Sequence, residues 1–229
     1  MVKNPKFRRK STRGLASRLA VLETKQKADD KSSERKVQYY QTPSFLNSVW
    51  SANNNFILRT VKGLNASGNT SAGETRIGNT INLRSSVIRF RAHFPKNTDG
   101  VLTESSNYGT MVRVLLVDNL TDSTALTASD VLQVPSYPMT STYKNTIASG
   151  KRYKVLMDKK FAMTSEKPDV LFNFKMKLPK SGRVIHYNAN DQNPSDFNVS
   201  LIYQATDIGP LSPNQPILQY MVKSRFEDN

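Results

Sequence analysis

Three stretches of this chain alternate apolar and polar side chains with a period of two, a rhythm that belongs to strands rather than helices. From Val170 to Leu178, Val170, Phe172, Phe174, Met176 and Leu178 fall on one side, while Asn173, Lys175 and Lys177 fall on the other. From Phe197 to Tyr203, Phe197, Val199, Leu201 and Tyr203 alternate with Asn198, Ser200, Ile202 and Gln204. From Val87 to Phe94, Ile88, Phe90, Ala92 and Phe94 stand opposite Arg89, Arg91 and His93. Each reads as a half-buried strand with one wet face.

Five further segments fit strands: Phe56 to Lys62, Met111 to Asp118, Lys151 to Ser165, Gly182 to Tyr187 and Ile217 to Phe226. Clusters of Gly, Pro, Asn and Asp separate them, as at Asn65 to Gly78, Pro95 to Gly100, Pro179 to Gly182, Asn188 to Asp196 and Gly209 to Pro216. The expectation is eight strands in one body. No helical pattern alternates with them, which disfavours parallel βαβ folds. At 229 residues the chain can bury a sizeable core. The connection from Asn119 to Gly150 is long for a compact domain, a length often tied to function, and Thr127 to Leu132 inside it fits a short helix.

Charge divides the chain in two. The formal net charge is +15 at pH 7, with 33 Lys and Arg against 18 Asp and Glu. Residues 1–36 hold twelve cations and four anions, a net +8, with no acid before Glu23. A block of this kind repels itself and is expected to stay unfolded until an anionic partner neutralises it. Residues 1–36 therefore read as a basic arm, and residues 37–229 as the folded body. Within the arm, Leu15, Leu19 and Leu22 recur at helical spacing, which predicts a short amphipathic helix over Gly14 to Ala28. That stripe needs a surface to dock on, either its own domain or a neighbouring subunit. The cations offered as nucleic-acid ligands are Lys3, Lys6, Arg8, Arg9, Lys10, Arg13 and Arg18.

Other function classes find little support. There is no cysteine, which excludes disulfides, thiolate metal sites and a cysteine nucleophile. Gly14 to Leu22 is interrupted by Arg18 and does not read as a secretory signal, and no run reaches the ~18 apolar residues of a membrane span, so no membrane partner is expected. Nucleophile-elbow, phosphate-loop, dinucleotide and zinc-protease motifs are all missing. Ser149-Gly150-Lys151-Arg152 reads as a turn. His93 and His186 suit surface or subunit contacts better than base catalysis. Asp99, Glu104, Asp118, Asp122, Asp130, Asp158, Asp191 and Asp196 fall mostly in or near loops, where turn chemistry accounts for them. Calcium needs only oxygen ligands, so a structural ion at such loops stays open, but no spacing selects its ligands and no cofactor is assigned. Tyr39, Tyr40, Phe45, Trp50 and Phe56, between arm and body, suit a core or interface cluster better than a base-stacking platform.

Several segments carry a resemblance. Phe7 to Leu19 (FRRKSTRGLASRL) resembles the basic arm and short helix of satellite tobacco necrosis virus coat proteins. Arg76 to Ser85 (RIGNTINLRS) followed by Val87-Ile88-Arg89-Phe90 is similar to the segment entering strand C in those proteins and in coat proteins of small circular single-stranded DNA viruses. Val112 to Asn119 (VRVLLVDN) resembles their strand D, and Lys151 to Lys159 (KRYKVLMDK) their strand E. Order and spacing together span nearly the whole chain. The chain departs from the compact satellite protein in its length and its long connections.

The resemblance implies an all-β, eight-stranded antiparallel jelly-roll sandwich, with the eight segments above as strands B to I in BIDG and CHEF sheets. It also implies a non-enzymatic coat protein that assembles as a homo-oligomer of about sixty copies into a closed T=1 icosahedral shell. The arm would then neutralise a packaged single-stranded genome, DNA or RNA. Sixty arms at +8 give roughly 500 positive charges and sixty chains roughly 900, a scale suited to a genome of about one to two thousand phosphates. Localisation follows as the virion, with the host nucleus or cytoplasm during assembly. The rival reading is a cellular nucleic-acid-binding β-protein with a basic tail.

Overall fold

The computed structural model describes residues 19–23, 35–54, 57–58, 61–62, 75–76, 78–95, 109–121, 124–164, 166–189, 191–208 and 215–228. The chain divides into two units, Met1–Arg35 and Lys36–Asn229. In the first, residues 19–23 form a helix (α1) whose Leu19, Val21 and Leu22 are exposed. Leu15 and the remainder of the predicted helix lie outside the described residues.

The second unit is built from two antiparallel sheets. One has the order β1 (Arg35–Phe45), β11 (Ile217–Asp228), β5 (Thr80–His93) and β8 (Asp169–Lys175). β9 (Arg183–His186) continues the β8 edge, because β8 pairs with Val87 to His93 and β9 with Thr80 to Leu83 of the same strand. The other sheet has the order β2 (Ser51–Asn54), β10 (Asn198–Ala205), β6 (Thr110–Asn119) and β7 (Tyr153–Met163). Counting β8 and β9 as one lane and lettering the eight lanes B to I along the chain, the sheets read B-I-D-G and C-H-E-F. This is the jelly-roll order. A small parallel pair, β3 (Val61–Lys62) with β4 (Thr75–Arg76), stands beside them.

The lettering corrects the sequence reading. Phe56 to Lys62 was expected as strand B, yet among the described residues only Val61–Lys62 is extended. Ile57 and Leu58 are instead buried in a non-strand segment, where the Ser224 hydroxyl donates to the Ile57 carbonyl at 2.9 Å. The true B and C lanes, β1 and β2, lack an apolar alternation. β1 buries Lys36 and Gln38, and β2 is Ser-Ala-Asn-Asn. The letters from C to F move by one: Val87 to Phe94 lies in lane D rather than C, Val112 to Asn119 in lane E rather than D, and the Lys151 to Lys159 motif enters lane F rather than E, while Phe197 to Tyr203 and Ile217 to Phe226 keep H and I. The segments expected as F and G share one lane, interrupted around Pro179 and Gly182.

The interruption faces a β-bulge. Opposite β11, Arg225 pairs with Ser85 and Phe226 with Leu83, so Arg84 is the extra residue on β5. It reverses the pleat, letting Ile81 and Leu83 share the core with Ile88, Phe90 and Ala92 although their parity differs. Arg84 Nη1 donates to the Ser181 carbonyl at 2.5 Å and Nε to Glu227 at 2.6 Å, tying bulge and interruption together.

The core fills the space between the sheets. Ile88, Phe90, Leu218, Tyr220 and Val222 from one side join Val112, Val114, Leu116, Val199 and Leu201 from the other. Phe172 stacks on Phe90 with centroids 4.7 Å apart and meets Phe161 of the second sheet at 5.5 Å. Each such side chain contributes about 1.5–3 kcal/mol through burial.

The predicted strand at Phe197 to Tyr203 was expected to keep one wet face, but β10 is buried on both. The connection between β6 and β7 folds over it. There, α2 (Ala128–Val131), started by a Thr127/Asp130 capping box, packs Ala128 and Val131, with the flanking Leu126 and Leu132, onto Leu115, Val117 and Ile202. The same connection carries α3 (Thr146–Ser149), capped by Asn145 and closed by Gly150 at φ 68°. Trp50 Nε1 donates to the Pro135 carbonyl at 2.8 Å. The helix predicted at Thr127 to Leu132 is thus present, and its task is to cover the C-H-E-F sheet.

Candidate nucleic-acid interface

Lys3, Lys6, Arg8, Arg9, Lys10, Arg13 and Arg18 lie outside the described residues. Lys36, counted with the arm by sequence, is buried in the body: its Nζ donates to the Thr75 carbonyl at 3.2 Å and pairs with the Asp228 carboxylate.

The described residues hold a second basic feature, on the outward face of the B-I-D-G sheet. Alternation on β5 sends Ile88, Phe90 and Ala92 inward and Arg89 and Arg91 outward. On β8 the outward side chains are Leu171, Asn173 and Lys175, and on β11 they are Gln219, Met221, Lys223 and Arg225. Register assembles these into rows. Arg91 lies between Leu171 and Gln219, Arg89 between Asn173 and Met221, Val87 between Lys175 and Lys223, and Ser85 beside Arg225. Neighbouring rows on one face are about 6.8 Å apart, and neighbouring strands about 4.8 Å.

Among the described residues, acids occur only at the ends of this field. Arg91 grips Asp169 through Nε at 2.9 and 3.2 Å and Nη2 at 2.5 Å, and this hydrogen bonding raises the Arg91 pKa further. At the other end, Arg84 neutralises Glu227. Between them Arg89, Lys175, Lys223 and Arg225 face no carboxylate among the described residues. Two adjoining grooves run over the face and share Arg89 and Met221. One, of about 550 Å³, is lined by Pro43, Leu171 and Tyr220; the other, of about 450 Å³, by Tyr39, Lys175 and Arg225. Lys223 Nζ sits 5.3 Å from the centroid of the exposed Tyr39 ring.

The loop acids do not converge. Asp118 pairs with Arg183 at 2.9 Å, Asp130 with Lys151 at 2.9 Å, Asp158 with Arg113 at 2.7 Å, and Asp196 with His186 at 2.7 Å. Asp191 accepts from Asn188, and Asp99, Glu104 and Asp122 lie outside the described residues. Burial pushes the Asp118 carboxyl up despite Arg183. Burial also works against Asp158 and Asp130, but hydrogen bonds from Arg113 and Tyr143 to the one, and from Thr127 and Lys151 to the other, outweigh it and hold both below the usual carboxylate range. Tyr143, half-sheltered and bonded to Asp158, is pushed up to about 12. No group of three or more acids and histidines among the described residues could hold a metal ion.

Arg89, Arg91 and Lys175 were already on wet strand faces in the sequence reading. What it missed is their union with Lys223 and Arg225, some 130 residues from the two arginines and about 50 from Lys175, which only the pairing of β5 with β11 and β8 reveals. Of the aromatics between arm and body, Tyr39 and Phe45 are exposed on β1, and Trp50 is half-buried under the long connection.

No protein-family model matches this chain, and no curated protein sequence does. Among solved structures it is similar to turnip yellow mosaic virus, at 12% identity and TM-score 0.38, covering 86% of this chain and 94% of that one. It is likewise similar to Desmodium yellow mottle tymovirus, at 10% identity and TM-score 0.37, covering 85% and 89%. The 60-mer BFDV capsid protein matches at 6% identity and TM-score 0.32, covering 86% and 95%.

Proposed function

We propose that this chain is the coat protein of a small icosahedral virus, assembling into a closed shell and packaging a single-stranded genome through its basic arm. The observation that carries the reading is a jelly roll, in B-I-D-G and C-H-E-F order, joined to a segregated unit, Met1–Arg35, of net charge +7 once the buried Lys36 is counted with the body. A sandwich with both sheets fully formed is a rigid building unit, and closed symmetry satisfies the surfaces it offers to copies of itself. The arm supplies a sequence-independent neutralising charge of the kind a polyanion needs. The role is structural and non-enzymatic, the copy number about sixty, the partner single-stranded DNA or RNA, and the site of action the virion, reached through the host nucleus or cytoplasm.

Electron microscopy and light scattering of the purified full-length chain, with nuclease treatment of copurifying material, test this. Closed particles carrying protected nucleic acid are expected. Neutralising Lys3, Lys6, Arg8, Arg9, Lys10, Arg13 and Arg18 to Ser should leave a folded body with several-fold less nucleic acid. A chain that stays monomeric at every salt concentration, or neutralised particles with unchanged nucleic-acid content, overturns the reading. The first result would favour a cellular β-protein with a basic tail.

A further inference from the structure

We propose that the outward face of the B-I-D-G sheet is a second nucleic-acid site, taking an extended single strand. Its phosphates lie on Arg89, Lys175, Lys223 and Arg225, and a base rests on the shelf formed by Tyr39 and Met221. The inference rests on the nucleic-acid partner of the packaging reading, but locates a contact in the folded body.

Charge complementarity selects a polyanion. The face holds Arg84, Arg89, Arg91, Lys175, Lys223 and Arg225 against Asp169 and Glu227, and both acids are already engaged by Arg91 and Arg84. That leaves four cations in the middle rows with no counter-charge among the described residues. A protein partner would bring a hydrophobic core to the contact, whereas here the apolar surface is broken up between cations. Alternation of charge with Tyr39, Pro43, Leu171 and Met221, all exposed, is what a strand with splayed bases requires. A duplex keeps its bases stacked inside and would leave that apolar surface unused. The sheet lattice also spaces its cations on the scale of successive phosphates in a stretched strand. Lys223, poised over Tyr39, places a charge beside the ring on which a base would stack. On the opposite sheet the long connection packs over Leu115, Val117 and Ile202.

The test is fluorescence anisotropy of a labelled oligothymidylate of about twenty nucleotides, titrated with full-length protein across a salt series. The variants are a face variant (R89S, K175S, K223S, R225S), an arm variant with its seven cations changed to Ser, and Tyr39→Leu. For single strands the slope of log K against log salt changes by ~0.7 per phosphate contact, so the face variant should lose about 2–3 from the slope. The arm variant should retain a slope of about that size, and a duplex of equal length should compete for it less well than the single strand. Tyr39→Leu should weaken binding roughly tenfold with the slope unchanged. Lys175→Arg with Lys223→Arg should behave as wild type. A face variant with wild-type slope and affinity overturns the proposal. So does one whose binding is intact but whose particle size changes, which would make the face a contact between copies. Wild-type protein that binds no oligonucleotide defeats the packaging reading itself, a distinct result. Should the fourfold variant fail to fold, R89S/R225S and K175S/K223S each carry half of the expected loss.

Discussion

Arg113 is a buried cation bonded on every side that the described residues show. It is 1% exposed, and its guanidinium reaches Asp158 at 2.7 and 3.0 Å and the carbonyls of Pro138 and Ser141 at 2.6 and 3.0 Å. Removing it strands a half-buried carboxylate and two carbonyls, so Arg113→Ala should cost about 3–5 kcal/mol in urea unfolding. Arg91→Ala breaks an ion pair of equally good geometry, but its side chains are 47% and 39% exposed, and the loss should stay within about 1 kcal/mol. The contrast separates burial from pairing. The Arg113 bonds also fasten the long connection onto β6 and β7, so a single residue joins sheet stability to the cover over the sheet.

At the scale of elements, that cover should respond to acid. Asp158 and Asp130 titrate below the ordinary value of about 3.9 in the folded protein, so the stability they contribute is complete above that value and is lost as pH falls through their lowered pKa values. Asp118, held high by burial, works in reverse: it costs stability at neutral pH, and the cost fades as pH falls through its raised pKa. Trp50, the only tryptophan, is bonded to Pro135 in the connection and reports on it. Its emission should shift to the red below about pH 4, before the far-ultraviolet strand signal is lost. The elements also show what a sequence can reveal. β8, β11 and the second half of β5 were legible because one face meets the core and the other meets water. β1 and β2 were not, since they turn Lys36, Gln38 and Asn53 to positions that an apolar pattern would have marked. The first half of β5 was hidden because Arg84 reverses the alternation. β10 was found, but its covered outer face was not, because Ser200 and Gln204 look like surface residues until the Ser200 hydroxyl is seen accepting from Leu126 N at 3.1 Å.

For the whole molecule, the two sheets divide the work. On the C-H-E-F sheet the long connection buries the outward side chains Leu115, Val117 and Ile202, whereas on the B-I-D-G sheet the outward Arg89, Arg91, Leu171, Lys175, Met221 and Arg225 are exposed among the described residues. The basic arm was legible from composition, because charge runs need no tertiary structure to be seen. The basic face was not, because it is made by pairing strands distant in sequence.

The extra residue at Arg84 has a consequence for tolerance to insertion and deletion. In a surface loop the loss of one residue is absorbed by slack. Between Leu83 and Ile88 the bulge itself is the slack, because Arg84 is the residue of β5 that has no opposite number on β11. Deleting Arg84 would join Leu83 to Ser85 in regular alternation, keeping Ile81, Leu83, Ile88, Phe90 and Ala92 inward and Arg89 and Arg91 outward, with only the bonds from Arg84 to Ser181 and Glu227 lost. The expected outcome is soluble protein with a lowered urea midpoint. An Arg84 deletion that is insoluble on expression would show that the strand needs its extra residue to keep its inside and outside apart.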